Sequence, residues 1–364
     1  MTILQPGEGR IDTDIYLASD LSSCSWGYLP NRDSAPALTV PDGSIVTVDT
    51  VSHEGVLEDQ GRDPVSYFGM HGVPERDVLR DARTIAESDI VHGDDDGPHV
   101  VTGPIAVAGA RPGQVLRVDV LDLRTRVPYG VVSNRHGYGA LPGEFPEHPD
   151  GDTGDDPSNV SHFVTVDERA GRLVGVLTAR SGRRIRFPLN PFMGVMGVAP
   201  DTSEPVHSVP PGPHGGNIDV NLLGVGSSLY LPIQAEGALF YVGDPHYAQG
   251  DGEVALTALE APLRGVFKLS IVPEEEVGRV APELPAPIGE TDDAWIPMGL
   301  HQDLGEAMKA ATRSAIRFLE VTQDLDRATA LSYLSAAADF EVSQVVDGVK
   351  GVHCVIRKSD FADW

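Results

Sequence analysis

One local pattern recurs along this chain and limits what it can become: a Pro/Gly turn that opens directly into a short run rich in β-branched residues. Pro41-Asp42-Gly43 leads into Ser44-Ile45-Val46-Thr47-Val48-Asp49, and Arg111-Pro112-Gly113 leads into Gln114-Val115-Leu116-Arg117-Val118-Asp119. Gly224-Val225-Gly226 opens more loosely into Ser227-Ser228-Leu229-Tyr230-Leu231. Proline fixes φ at the turn entry, glycine accepts a positive φ, and alternation of period two suits a half-buried strand. With 40 glycines and 29 prolines in 364 residues, the same punctuation runs throughout. The sequence therefore predicts a mainly β fold, a sandwich-like or barrel-like body of many short strands.

Some stretches depart from that pattern. Glu75 to Glu87 places Val78, Leu79, Ala82 and Ile85 on one helical face, which predicts a short helix interrupting the β body. Pro146 to Pro157 has almost nothing to bury and reads as an exposed loop. In Pro273 to Pro297, Glu and Pro alternate and no period survives, so the segment reads as a linker. Beyond it, Leu304, Ala307, Met308, Ala311, Ala315, Phe318 and Leu319 predict a helix over Leu304 to Asp324. Ala330, Leu331, Leu334 and Ala337 predict a second over Asp326 to Ala338, and the two make a helical hairpin. Strands at Glu341 to Val346 and Val352 to Ile356 would close the chain. The expected organisation is a β-rich body over 1–272, a linker over 273–297, and a hairpin with closing strands over 298–364.

Charge narrows the partners. Lys and Arg total 27 against 54 Asp and Glu, a formal charge of −27 with a sequence pI near 4.6. A surface this acidic repels phosphate backbones and anionic lipid, so neither nucleic acid nor membrane is an expected partner. No run of about 18 apolar residues is present to span a bilayer. Met1 to Leu17 carries Glu8, Arg10, Asp12 and Asp14 and lacks a signal-peptide apolar core. Two cysteines, Cys24 and Cys354, at opposite ends of the chain fit a reducing compartment, and a cytoplasmic location is expected.

Polar chemistry concentrates in a few places. Gly243-Asp244-Pro245-His246-Tyr247-Ala248-Gln249-Gly250-Asp251-Gly252-Glu253 reads as a loop between the apolar run Gly237 to Val242 and the segment from Val254. Asp244 and His246 are two residues apart, a spacing that in extended backbone puts both donors on one face. The bland alternative is a Gly-rich hairpin whose polar residues bond their own turn. In Gly212-Pro213-His214-Gly215-Gly216-Asn217-Ile218-Asp219, His214 beside two glycines can reach a cleft, while Asn217 and Asp219 offer amide and carboxylate recognition. An Asx-type turn is its alternative. Ser52-His53-Glu54 ends the strand begun at Ile45, and both charged side chains can share a site only if the strand breaks there. His99, before Val100-Val101-Thr102-Gly103-Pro104, would support such a site from behind. No P-loop, dinucleotide fingerprint or Gly-x-Ser-x-Gly elbow occurs.

His214 to Asp219 and Gly243 to Val254, with Leu231-Pro232-Ile233 and Gly237-Ala238-Leu239-Phe240, resemble the signature blocks of acetamidases and formamidases in order and spacing. Thr102-Gly103-Pro104-Ile105 with Gly109 to Gly113, and Met193-Gly194-Val195-Met196-Gly197-Val198-Ala199-Pro200, are similar to the family's early and middle blocks. Pro245 departs from the Ala or Leu of many relatives, and Gln60 to Ile90 is longer than in compact ones. The resemblance implies a mainly β oligomeric hydrolase of short aliphatic amides with a bound divalent metal, commonly zinc and in some relatives calcium.

The expected mechanism is metal-assisted attack of water on the amide. His53, His214, Asp244 and His246 are the candidate metal ligands. Glu253 or Glu54 would act as the catalytic base, and Asn217, Asp219, Gln249, Gly215 and Gly216 would bind substrate. A homo-oligomer is expected. Two alternatives stay open: a non-catalytic β protein that binds a metal or small ligand with the same residues, and a hydrolase of another C–N bond.

Overall fold

The computed structural model describes residues 2–93, 95–147, 159–280 and 286–362. Two large sheets dominate them. A nine-stranded sheet runs in the order Ile15–Leu17, Ser44–Asp49, Leu263–Ile271, Val115–Thr125, Ser228–Pro232, Ile288–Glu290, Ala294–His301, Lys350–Arg357 and Asp339–Gln344. The three turn-to-strand entries of the sequence all lie in it. The second sheet has eleven strands, with Phe240–Ala248 near its centre between Phe192–Val198, Val100–Val107 and Leu259–Glu260. Nearly all pairings in both are antiparallel.

The sheets face each other across one core. Val46, Val48, Leu116, Val118 and Phe267 of the first sheet share an apolar cluster with Met196, Val198, Phe240 and Val242 of the second. Phe240 and Phe267 meet across the interface with ring centroids 5.9 Å apart. Fully burying a side chain of this size stabilises by about 1.5–3 kcal/mol, so the core holds the central strand of the second sheet rigidly. The mainly β, sandwich-like body expected from the turns is what forms.

Local differences from the expected elements have simple causes. Glu75 to Glu87 splits into a 3₁₀ turn, Glu75–Asp77, and a helix, Arg80–Ala86, and another short helix forms at Pro64–Gly69. Val78, Leu79, Ala82 and Ile85 are all buried there, against Tyr67, Phe68, Trp26 and Tyr129. From residue 148 onward the expected loop at Pro146 to Pro157 lies outside the described residues. Residues 273–297, expected to lack regular structure, instead carry the helix Glu274–Val280, the strand Ile288–Glu290 and the first half of Ala294–His301. Pro297 is accommodated because the ladder to Lys350–Arg357 skips Ile296 and Pro297 between Trp295↔Ile356 and Met298↔His353.

The helical hairpin is present as Leu304–Thr322 and Arg327–Ala337, capped by Asp303 and Asp326. It packs on the sheet rather than standing apart, since the boundary expected at residue 297 falls inside a strand. Gly299 makes this contact possible: a Cβ there would lie 2.0 Å from the Ala311 backbone nitrogen. Ala315, Phe318, Leu319, Ala330 and Leu334 share a core with Ile288, Cys354 and Ile356 of the sheet.

Candidate active site

The strand Phe240–Ala248 carries both Asp244 and His246, so the polar run expected as a loop is strand as far as Ala248. Gly243 lets neighbours close in, pairing with Val195 on one side and Val101 on the other; a Cβ there would lie 2.5 Å from the Val100 carbonyl oxygen. At Asp244 the backbone turns left-handed, with φ of 48°. That conformation costs a non-glycine residue about 1–2 kcal/mol. Gly194 falls opposite, between the paired residues Met193↔Pro245 and Val195↔Gly243. A Cβ on Gly194 would lie 2.4 Å from Asp244 Oδ2, 2.5 Å from Asp219 Oδ1 and 2.8 Å from His246 Cε1. The absence of that side chain is what leaves space for the carboxylates.

Three imidazoles gather around Asp244. His53 lies in a turn closed by the Val56 amide donating to its carbonyl, beyond the end of Ser44–Asp49, so it escapes the alternation of the strand. Its Nδ1 is 3.6 Å from Asp244 Oδ1, and His99 Nε2 is 3.8 Å from the same oxygen. His99 is held from behind by Ser208 Oγ, 2.9 Å from Nδ1. His246 Nε2 stands 3.0 Å from Asp244 Oδ2 and 3.0 Å from Glu260 Oε1. All five side chains are buried.

Gln249 fixes the proton on His246. Its Nε2 donates to the Asp219 carbonyl at 2.9 Å and the Ser343 carbonyl at 3.1 Å, which makes its Oε1 an acceptor. That oxygen is 3.1 Å from His246 Nδ1, so Nδ1 carries the hydrogen. In the neutral ring, Nε2 then presents a lone pair to two carboxylate oxygens. His246 Nε2, Asp244 Oδ1, Glu260 Oε2 and His53 Nδ1 are buried without a hydrogen-bond partner. Buried polar atoms are rarely left so, and convergent lone pairs repel unless a proton or cation sits among them. Burial disfavours the charged ring of His246, but the Glu260 and Asp244 carboxylates outweigh it and hold the imidazole well above its usual range. The donor atoms of His53, His99 and Asp244 lie within 4.8 Å of one another, as do those of Asp244, His246 and Glu260.

A carboxylate cluster forms the other flank. Asp219, at φ of 48°, has neither side-chain oxygen bonded. Its donor atom, with those of His246 and Glu253, forms a third group within 4.8 Å. Burial and the neighbouring Asp219 charge push the Glu253 carboxyl well above the usual range. Asp347 joins from the turn after Asp339–Gln344 and accepts from Asn217 Nδ2 at 3.0 Å. Burial, then the Asp244 charge, pushes it up to about 8.

The remaining expected residues fall into other roles. Glu54 sits behind His53, its Oε1 3.6 Å from the ring's Nε2, and is engaged there: Arg135 Nη2 donates to Oε1 at 2.9 Å, and the Tyr67 hydroxyl and Gln60 amide donate to Oε2. Burial raises its pKa, yet Arg135 and His53 outweigh that and hold it below the usual range. Such a carboxylate supports its neighbours and has little basicity left for a proton transfer. Gln249 has both polar atoms engaged and so positions His246. Gly215 and Gly216, at φ of 86° and 82°, pair with Gly197 and Met196, where a Cβ on Gly215 would lie 2.4 Å from the Met196 carbonyl oxygen. They serve close strand approach. His214 is buried beside Gly212 and Gly216 and joins none of the donor groups among the described residues. Glu260, Asp347 and Gly194 were missed as site residues. Glu260, a carboxylate within the apolar run Ala258-Leu259-Glu260-Ala261-Pro262, gave a local signal; Asp347 in an ordinary turn gave none.

Relatives share this arrangement of chain. The chain is 30% identical over 194 residues to a formamidase of Methylophilus methylotrophus and 28% identical over 202 residues to an acetamidase of Mycolicibacterium smegmatis. Each match covers 43% of this chain, and 47% and 49% of those proteins respectively, about half their length. The fold matches an acetamidase structure from Yersinia enterocolitica with a TM-score of 0.73 at 22% identity, covering 99% of this chain and 96% of that one. A recombinant predicted acetamidase/formamidase from Thermoanaerobacter tengcongensis matches with a TM-score of 0.70 at 22% identity, over 95% and 96% of the two chains. The model of the acetamidase/formamidase family matches residues 81–205 and 202–275, more than half of the sequence, and the chain belongs to that family.

Proposed function

We propose that this chain hydrolyses a short aliphatic amide to carboxylate and ammonia, with a divalent cation such as zinc held by His53, His99, Asp244, His246 and Glu260. The observation that carries the reading is the buried His246 Nε2, without a hydrogen-bond partner and 3.0 Å from both Asp244 and Glu260, while its Nδ1 faces Gln249 Oε1. Two or three imidazoles with two carboxylates suit a borderline cation of the zinc type. The amide class follows from the relatives, which are named for formamide and acetamide hydrolysis.

When bound, the cation would act as a Lewis acid toward the amide carbonyl and acidify the attacking water. Glu253 takes the proton from that water as its oxygen adds to the carbonyl carbon. The same carboxyl returns the proton to nitrogen, because an amide expels nitrogen poorly unless it is protonated. Burial and carboxylate neighbours favour protonated Glu253, and the positive charge of a bound dication would favour its ionised, proton-accepting form. Asn217 Oδ1, buried and unbonded, is free to accept from the substrate N–H while its Nδ2 is held by Asp347. Assembly into a homo-oligomer belongs to the same proposal, supported by exposed Leu304, Met308, Val321 and Leu331 on the helical hairpin.

Ammonia release from formamide, acetamide, propionamide and urea, with metal analysis of the same sample, tests the reading. Turnover of a small linear amide by cation-loaded protein supports it. A metal-loaded protein that releases no ammonia from any of them would favour a binding role, and urea turnover alone would move the activity to another C–N bond.

A further inference from the structure

A second group of donors lies away from the Asp244 cluster, where the Gly250–Glu253 loop meets the C-terminal strands. Asp251 extends from the loop, Glu341 from Asp339–Gln344 and His353 from Lys350–Arg357, and one donor atom of each lies within 4.8 Å of the others. His353 is fully buried, and its Nε2 has no hydrogen-bond partner although it stands 3.2 Å from Glu341 Oε2. Its other nitrogen, Nδ1, is 2.8 Å from Ser343 Oγ, which orients the ring. An imidazole steered from behind by a hydroxyl, with its free nitrogen aimed at two carboxylates, has the arrangement of a metal-ligating histidine. Asp251 also accepts from Asn221 Nδ2 at 3.0 Å through Oδ1, leaving Oδ2 available.

We infer that Asp251, Glu341 and His353 form a separate binding site for a divalent transition cation, which clamps the Gly250–Glu253 loop to the C-terminal strands. Two carboxylates and a neutral imidazole balance a charge of +2, and the nitrogen donor favours a zinc-like ion over calcium. Asp251 is exposed and the Glu341 side chain is 41% exposed, so an ion has a path from solvent. The elements it would join are already in contact. The Gly252 amide donates to the Ser343 carbonyl at 3.1 Å, and the Val345 amide donates to the Gly252 carbonyl at 3.1 Å. The clamp would secure the loop that presents Glu253 on one side and the strand leading to Asp347 on the other. Its relevance to turnover rests on the amidase reading; the binding itself does not.

Zinc titration of the metal-stripped full chain, by calorimetry, tests this directly. Wild type should bind one more equivalent than Glu341→Gln, Asp251→Asn or His353→Gln, and Ser343→Ala should weaken that equivalent about 10-fold by loosening the ring. His246→Ala should keep it, which separates this site from the Asp244 cluster. Hydrogen exchange at the Gly252 and Val345 amides should slow on zinc addition in His246→Ala and not in His246→Ala/Glu341→Gln. If His353→Gln fails to fold, the solvent-facing Glu341→Gln and Asp251→Asn carry the comparison. Equal zinc stoichiometry and affinity in wild type, Glu341→Gln and Asp251→Asn would overturn the inference.

Discussion

The two flanks of the Asp244–His246 pair differ in how their polar atoms are held. On the imidazole flank the rings of His99 and His246 are fixed from behind, by Ser208 and Gln249, and present nitrogen toward Asp244 and Glu260. On the carboxylate flank, Asp219 and Glu253 crowd together, and Asp347 faces Asn217. The first arrangement is built to hold a cation, since fixed rings lose little freedom on binding. The second is built to hold and move protons, since crowded buried carboxyls resist ionisation. The account therefore predicts that damage to the two flanks separates loading from turnover.

The largest effect is expected at His246. His246→Ala should lose cation from the Asp244 site and reduce kcat/KM on the order of 10³-fold or more, beyond the 10–100-fold typical of outer partners. Retention of both metal and rate would collapse the distinction between the flanks. Glu253→Gln should keep the cation and lower kcat about 10²- to 10⁴-fold with little change in KM. Its foil is Glu54→Gln, which weakens the Arg135 pair: melting temperature should fall while the rate per folded molecule changes far less. The reverse outcome, a stable but inactive Glu54→Gln beside an active Glu253→Gln, would exchange the two roles. Gln249→Leu comes next, removing the acceptor that fixes His246, and should weaken cation affinity about 10- to 100-fold. An unchanged dissociation constant would mean that the tautomer is set otherwise.

A last effect, on stability and not on turnover, sharpens the boundary of the site. Burial alone pushes His214 down to about 4, against an unfolded value of about 6.5. Below about 6.5 the unfolded chain takes up a proton that the folded chain refuses, so stability falls as pH drops from about 6.5 toward about 4. The difference amounts to about 3 kcal/mol. Urea denaturation of wild type and His214→Gln at pH 7 and pH 4.5 should show a steeper loss in wild type; parallel losses would mean that His214 does not titrate as a buried neutral ring.

What was legible in the sequence was local. Turn-opened strands, the helical hairpin and the shared face of Asp244 and His246 all rest on spacings of a few residues, and periodicity records these directly. His53 was legible as a candidate only because a strand end frees it from alternation. The rest depends on long-range register. Gly194 matters because it falls opposite Asp244, and nothing within Met193-Gly194-Val195 says so. Asp347 reaches Asn217 across 130 residues of chain. His214, like His246, is a candidate ligand by local chemistry, yet its strand neighbours, Gly215 and Gly216, fit against Gly197 and Met196 and leave the ring outside the donor groups. The segment 273–297 hid its strands because Ile288–Glu290 is short and Ala294–His301 is interrupted by Pro297 and runs past the segment's end.

Cation-assisted hydrolysis is most directly tested by ammonia release before and after metal removal. Protein stripped with a chelator, and shown by circular dichroism to remain folded, should release ammonia from formamide and acetamide only at background rate. Stoichiometric zinc should restore the rate in wild type and fail to do so in His246→Ala. Full turnover by demonstrably metal-free, folded wild-type protein would contradict the account.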